Sequence, residues 1–408
     1  MYRFILLFLT ATTLAHAGSL PLSVDGAAEF ALKHNPALAA ARWRIDEARG
    51  RLWQAGRLSN PEIEADYRQN VRTPENSFAL GFSQKFPITA RLRLEKSMTQ
   101  AELAAAEAEV RNVERKLAAE VRVTAVKLLA LAGQRKLREK QSGNSRELSD
   151  FTRRRLETGE ASLADVSMVE LEALQLKTEL LQIEVERVAL VGELRPMLGG
   201  APNDEPLITG DLRAPAEVPG RGVDLAARPD FAASKSLAEA ARQSAALAKA
   251  RRWDDVNVGV NVERERSEDA PEGLKRDTMV AFRVSLPLPI WNNNAGRIQE
   301  ARATAARTAN ETEALSVVIN SEAAAERDAM VALTRVVVSL DEQLLPKSAE
   351  IETQLRNAYA TGQTPLQEVL RARDRRLTLE RQRVDALRDY HLARVRYEAA
   401  VGKTGAGK

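Results

Sequence analysis

Two spacings of hydrophobic residues alternate along this chain, and each occurs twice. From Ser77 to Phe86, Phe78, Leu80, Phe82 and Phe86 alternate with Ser77, Ala79, Gly81, Ser83 and Lys85, a period of two that predicts a strand with one apolar face. Val256, Val258, Val260 and Val262 alternate in the same way with Asn257, Gly259, Asn261 and Glu263, and Val280, Phe282, Val284, Leu286 and Leu288 follow. Glu62 to Arg68 is the weakest strand: Ile63, Ala65 and Tyr67 face away from Glu62, Glu64, Asp66 and Arg68. The chain therefore holds two β-hairpins, about residues 61–87 and 254–289, with strands of the length that a tilted membrane strand needs. Between the second pair, Arg264 to Asp277 is charged and contains Pro271 and Gly273, so it is expected to be a solvent loop.

After each hairpin the period becomes helical. Leu103, Ala106, Val110, Val113 and Leu117 step by three and four, the seam of a coiled coil. A return segment continues this at Val166, Val169, Ala173, Leu176, Leu180, Ile183, Arg187, Leu190 and Leu194. The second return segment repeats it at Val369, Ala372, Arg376, Leu379, Arg383, Ala386, Tyr390, Ala393, Tyr397 and Ala400. Alanine is frequent on these seams, so the helices can approach closely. The first long helix, from about Ala90 to Glu157, would extend about 100 Å, more than a globular domain requires.

The two halves are copies. Asn35-Pro36-Ala37-Leu38-Ala39-Ala40 is echoed by Arg228-Pro229-Asp230-Phe231-Ala232-Ala233, Phe86-Pro87-Ile88 by Leu288-Pro289-Ile290, and Thr158-Gly159-Glu160-Ala161-Ser162-Leu163-Ala164-Asp165-Val166 by Thr361-Gly362-Gln363-Thr364-Pro365-Leu366-Gln367-Glu368-Val369. The offsets are 193, 202 and 203 residues, so one local insertion accounts for nearly all the slippage. The expected organisation is a first repeat over 18–198, a Pro- and Gly-rich linker over 199–220, a second repeat over 221–403 and a tail over 404–408. Each repeat runs helix, hairpin, long helix, tip and return helix, with tips near 158–162 and 361–365. Both long helices carry a breaker at the equivalent place, Gly143 and Pro346, read as a built-in weak point or as a surface kink.

Composition narrows the class. Of 408 residues, only 4% are aromatic and 29% charged, which suits long packed helices better than a globular core. The formal charge is +3, with no concentrated basic face for nucleic acid. The chain has no cysteine, which excludes disulfides and thiolate metal sites. His16, His34 and His391 are the three histidines, too scattered for a transition-metal site, and no catalytic or cofactor motif stands out, so an enzyme is not expected. Residues 1–17, MYRFILLFLTATTLAHA, combine one positive charge, a short apolar stretch and Ala15-His16-Ala17, the pattern of a cleaved signal peptide. No later stretch has 18 consecutive apolar residues, so any membrane span must be made of strands.

Four strands cannot close a barrel, and an open sheet edge in lipid costs several kcal/mol per unpaired backbone group. Closure must come from sister chains. Two give eight strands and a filled lumen, while three give twelve and leave a passage.

This order of elements, over nearly the whole mature chain, resembles the TolC-like outer-membrane efflux proteins. His34-Asn35-Pro36-Ala37-Leu38, Arg228-Pro229-Asp230 and Pro289-Ile290-Trp291-Asn292-Asn293-Asn294-Ala295-Gly296 make it most similar to the outer-membrane component of cobalt–zinc–cadmium type heavy-metal exporters. The resemblance implies a mainly α chain with a small β part, trimerising into a twelve-stranded outer-membrane barrel and a periplasmic α-helical barrel. It also implies a proton-driven inner-membrane pump of the RND type as partner, reached through a periplasmic adaptor.

The same resemblance gives roles to particular residues. Thr158-Gly159 and Thr361-Gly362 match the periplasmic tips where helices reverse and the adaptor docks; plain helix-hairpin turns are the simpler role. Asp165 and Glu368 stand where carboxylates guard the aperture; alternatively they are first-turn acids favoured by the helix dipole. Tyr359 matches a residue that latches the closed tip against the acid at Asp165, but Thr364 replaces the arginine that strengthens this latch, and Arg371 reverses a second acidic position. Trp291 suits the membrane interface and the asparagines behind it suit a helix start. The expected function is a passive exit duct for heavy-metal cations. The alternatives are a duct for organic toxins or secreted polypeptide, and a soluble periplasmic coiled-coil scaffold.

Overall fold

The computed structural model describes residues 20–200, 205–215, 218–220, 222–269, 271 and 273–403. The expected signal peptide over 1–17 and tail over 404–408 lie outside these residues. Eight α-helices are described: α1 (Val24–His34), α2 (Pro36–Gln54), α3 (Arg91–Glu157), α4 (Leu163–Leu198), α5 (Pro229–Ala250), α6 (Ala295–Ser339), α7 (Leu345–Ala360) and α8 (Leu366–Ala400). The strands are β1 (Leu20–Leu22), β2 (Glu62–Gln69), β3 (Asn76–Phe86), β4 (Pro206–Ile208), β5 (Val256–Asp269) and β6 (Gly273–Ser285). The fold is mainly α with a small β part, as the two spacings predict. Among the described residues, no helix is long and apolar enough to cross a membrane.

The chain divides into two compact units, one from residues up to Ala39, Val113–Asp224 and Ile319 onward, the other from Ala40–Asn112 and Leu225–Val318. In the first, alanine seams let helices pack closely. Ala27, Ala28 and Ala31 of α1 meet Ala118, Val121 and Leu128 of α3 and Val191, Leu194 and Leu198 of α4. A second cluster sets Tyr390, Ala393, Tyr397 and Ala400 of α8 against Ala323 and Met330 of α6. Burying each large side chain contributes about 1.5–3 kcal/mol. β1 and β4 form a parallel pair, Leu20 to Pro206 through Leu22 to Ile208, so the stretch expected to be a linker contributes one strand, β4.

The quoted Asn35-Pro36 motif proves to be a joint. Asn35 Oδ1 accepts from the Leu38 N–H at 2.9 Å, capping α2, while its Nδ2 donates to the Met197 carbonyl at 2.9 Å and the Pro196 carbonyl at 3.3 Å. Gly199 ends α4 in the left-handed region (φ 72°), and a Cβ there would stand 2.3 Å from the His34 carbonyl oxygen. This close approach requires glycine.

Two expectations about irregular segments are corrected. The helix α3 runs through Gly143 unbroken, since one glycine costs only about 1 kcal/mol. At the equivalent place in the second half there is a break, but it lies just before Pro346, as a π-helical turn over Leu340–Leu344. Proline crowds the carbonyl four residues back, here Glu342, and the wider turn makes room. The charged stretch from Arg264 is likewise no plain loop: β5 and β6 stay paired from Asn257–Ser285 to Asp269–Gly273, because backbone pairing does not need an apolar face.

The other unit carries the main sheet, in the order β2-β3-β5-β6, antiparallel throughout. Its register puts Ile63, Phe82, Val260 and Phe282 in one row, and Ala65, Leu80, Val262 and Val280 in the next row on the same face. The opposite face carries Glu64, Gly81, Asn261 and Ala281, then Asp66, Ala79, Glu263 and Met279. One face is apolar and largely exposed, Phe282 at 85%, and the other is polar or small.

Candidate functional site

The two helix reversals have the same backbone. In the first, Gly159 (φ 79°) donates to the Leu156 carbonyl and Glu160 to the Arg155 carbonyl, at 3.0 and 2.8 Å. In the second, Gly362 (φ 75°) donates to the Tyr359 carbonyl and Gln363 to the Ala358 carbonyl, at 3.1 and 2.8 Å. These are Schellman-type closures, which glycine in the left-handed conformation permits. Thr158 and Thr361 fold their hydroxyls back onto the carbonyls of Arg155 and Ala358, each at 3.1 Å.

The starts of the return helices differ. Ser162 and Asp165 form a reciprocal capping box: the Asp165 N–H donates to the Ser162 hydroxyl at 3.1 Å, and the Ser162 N–H donates to the Asp165 carboxylate at 2.9 Å. At the second tip Pro365 is the N-cap and offers no side-chain cap. There Glu368 pairs with Arg371 at 2.7 Å. Within one chain, Asp165 thus caps a helix start, while Glu368 stands in the first turn of α8 with Arg371 as its partner.

Tyr359 is buried beside Val169, Leu366 and Val369, so it joins the second tip to both return helices. Among the described residues its hydroxyl has no hydrogen-bond partner. Its close neighbour is Arg155, whose guanidinium lies 4.7 Å from the Tyr359 ring centroid and donates to the Tyr359 carbonyl at 2.7 Å. Arg155 also reaches Glu160 at 3.3 Å. Sequence reasoning missed Arg155, and its counterpart in the second half is Ala358, so the repeat gave no signal for it.

Several ion pairs, some of them with a buried partner, link the helices of this unit. Arg122 pairs with Glu398 at 2.6 Å and Asp25 at 2.9 Å, and Glu398 also takes Arg394 at 2.9 Å. Burial works against ionisation of Glu398, but Arg122 and Arg394 together hold its carboxyl below the ordinary range. Glu172 is the opposite case. Burial pushes it up, against the pull of Arg373 at 3.4 Å, with Asp374 adding to the rise. Arg383 grips Asp341 inside the π-turn, tying that irregular turn to α8. His34 stacks on Phe30 and lies 2.9 Å from the Phe30 carbonyl, while His391 lies 2.9 Å from the Arg213 carbonyl.

In the sheet-bearing unit, Trp291 is 95% exposed just before α6. The asparagines behind it shape the entry. Asn293 Oδ1 accepts from the Ala295 N–H at 3.2 Å, and Asn294, at φ 59°, donates through Nδ2 to the Ala248 carbonyl at 2.7 Å. The polar face carries Glu62, Glu64, Asp66, Glu263, Glu265 and Asp277 against Arg68, Lys85, Lys275 and Arg283. Lys85 is already paired with Glu62 at 2.8 Å. In the described sheet, neither β2 nor β6 has a strand on its outer edge.

A sheet with one apolar and one polar face, together with long helical hairpins, also occurs in known proteins. Residues 28–200 match the family model described as outer membrane efflux protein. The chain is 23% identical over 405 residues to the cobalt-zinc-cadmium resistance protein CzcC of Cupriavidus metallidurans strain CH34, covering 94% of this chain and 87% of that one. Among solved structures, CusC gives a TM-score of 0.79 at 17% identity, over 93% of this chain and 92% of that chain. VceC of Vibrio cholerae gives 0.76 at 21% identity, over 93% and 96%. The resemblance to TolC-like outer-membrane efflux proteins therefore holds in both sequence and fold. Residues 28–200 thus match the outer membrane efflux protein family, and the chain shares its fold with CusC and VceC.

Proposed function

We propose that three copies of this chain close into a twelve-stranded barrel in outer-membrane lipid, continued by a periplasmic helical tunnel, as the exit duct of a tripartite heavy-metal efflux system. The observation that carries this reading is the four-stranded sheet with an apolar outer face and two open edges. An edge left open in lipid is too costly, and β6 of one copy beside β2 of the next continues the antiparallel order. Cyclic symmetry then ends the assembly at a ring.

The metal cargo is supported by the similarity to CzcC, a cobalt-zinc-cadmium resistance protein by name, and by the surplus of acids on the inward face of the sheet. The chain offers a passage and no energy source, so an inner-membrane RND pump and a periplasmic adaptor supply the drive and the connection. The adaptor docks on the turns at Thr158-Gly159 and Thr361-Gly362. Threefold symmetry gathers Asp165 and Glu368 into rings that favour cations, with Tyr359 bracing the aperture from behind. The test is deletion of the gene and challenge with zinc, cobalt, cadmium and a panel of organic toxins. Loss of metal tolerance alone is expected; toxin sensitivity with unchanged metal tolerance would overturn the metal cargo.

A further inference from the structure

At the last row of the apolar band, the same face of the second hairpin changes character abruptly. Residues of one parity share this face: Val258, Val260 and Val262 on β5, then Arg264 and Arg266; Phe282 and Val280 on β6, then Thr278 and Arg276. Arg264 stands in the row of Tyr67 and Phe78, the last aromatic row of the band, and Arg266 and Arg276 stand in the next row of this face. Arg266 and Arg276 are direct cross-strand partners. Like charges facing each other across two strands destabilise the pair, so an unneutralised arrangement of this kind is costly. Among the described residues none of the three guanidinium groups has a hydrogen-bond or ion-pair partner. The nearby acids do not answer them: Glu263, Glu265 and Asp277 lie on the opposite face, and Glu268, the next residue of outward parity on β5, stands opposite Leu274.

We propose that Arg264, Arg266 and Arg276 form a seat for the phosphate groups of lipopolysaccharide, the anionic glycolipid of the outer leaflet. The inference rests on the barrel reading above. The strands connect to α2, α3, α5 and α6 at their Glu62, Phe86, Val256 and Ser285 ends, so the hairpin turns lie at the opposite end of the sheet from the helix connections, which on the barrel reading is the outer-surface end. Continuity with the lipid-facing band fixes the source of the anion: a group held here belongs to a lipid whose chains lie along Phe78, Leu80, Val262 and Val280. Guanidinium groups make forked, charge-assisted hydrogen bonds to phosphate, and two opposed arginines with a third one row below can grip one phosphate from several sides.

The test uses the purified full-length assembly, isolated from the outer membrane and washed free of loosely held lipid. Wild type is compared with the triple variant Arg264→Ser, Arg266→Ser, Arg276→Ser and with Arg283→Ser, which removes an arginine from the opposite face. Lipopolysaccharide affinity is measured after delipidation, with inorganic phosphate as a separate probe. The triple variant should bind lipopolysaccharide roughly a hundredfold more weakly. Arg283→Ser should bind like wild type, and inorganic phosphate should bind none of the three proteins tightly. Equal lipopolysaccharide affinity in wild type and triple variant, with both in the outer membrane as closed assemblies, would overturn the seat and leave the channel standing. Tight binding of free phosphate would overturn the lipid as occupant. A chain absent from the outer-membrane fraction would overturn the barrel and the seat together.

Discussion

The two helix reversals close with the same backbone bonds around Gly159 and Gly362, yet they are secured by different side chains. The first has a capping box from Ser162 and Asp165 and sends Arg155 out to a partner. The second has Pro365 in place of the cap and contributes Tyr359, the aromatic that Arg155 covers. The first return helix is therefore fixed by local hydrogen bonds, the second by burial against the first. In a duplicated chain, backbone geometry is the part both copies must keep, while side-chain devices can be shared out between them.

Substitutions can break that comparison, beginning with the largest effect. Tyr359→Ala should loosen both turns at once. It empties a site beside Val169, Leu366 and Val369 and removes the ring under Arg155, at a cost of about 3–5 kcal/mol in local opening measured by hydrogen exchange. Gly159→Ala and Gly362→Ala should each cost about 1–2 kcal/mol, and about the same as each other, because no atom crowds either site and only the left-handed backbone resists a Cβ. Ser162→Ala should cost about 1 kcal/mol at the first turn alone, seen as earlier proteolysis between α3 and α4, whereas Pro365→Ser should stabilise the second by offering the missing cap.

The return helices also differ in how they hold buried acids, and pH sharpens that contrast. Glu172 on α4 is raised by burial, so its stabilising proton is held fully below the ordinary carboxylate range and lost as pH rises through the raised value. Glu172→Gln should therefore be more stable than the parent at neutral pH, the gap closing in acid. Glu398 on α8 is lowered by Arg122 and Arg394 despite its burial, so its contribution is present above the ordinary range and lost as pH falls through the lowered value. Glu398→Gln should be less stable at neutral pH, that gap also closing in acid, in thermal melts of the same assembly. The smallest effect belongs to Glu368→Gln, which removes an exposed pair with Arg371 and should change stability by about 0–1 kcal/mol.

The fold was largely legible because two periods, two for strands and three-to-four for helices, survive in the apolar positions of the hairpins and seams. What was hidden lacks such a period. The pair of β1 with β4 involves three-residue strands containing Pro21 and Pro206, too short to show alternation. Beyond Arg264 both faces of β5 are polar, so the continuing ladder left no trace in hydropathy. Gly143 suggested a break that helix packing overrides, while Pro346 displaced its break to the preceding turn. At the tips the glycines were readable, since a reversal requires them, but Arg155 was not, since its role comes from a ring some 200 residues away in sequence.

The central claim is that sister chains complete the sheet, edge to edge. The chain has no cysteine of its own, so single cysteines placed in β2 and β6 report on that edge without background. Oxidation of cells carrying such paired variants should give covalent dimers and trimers in the outer membrane, with the ladder ending at three chains. Chains that remain single at every pairing tried, or a ladder running beyond three, would contradict the account.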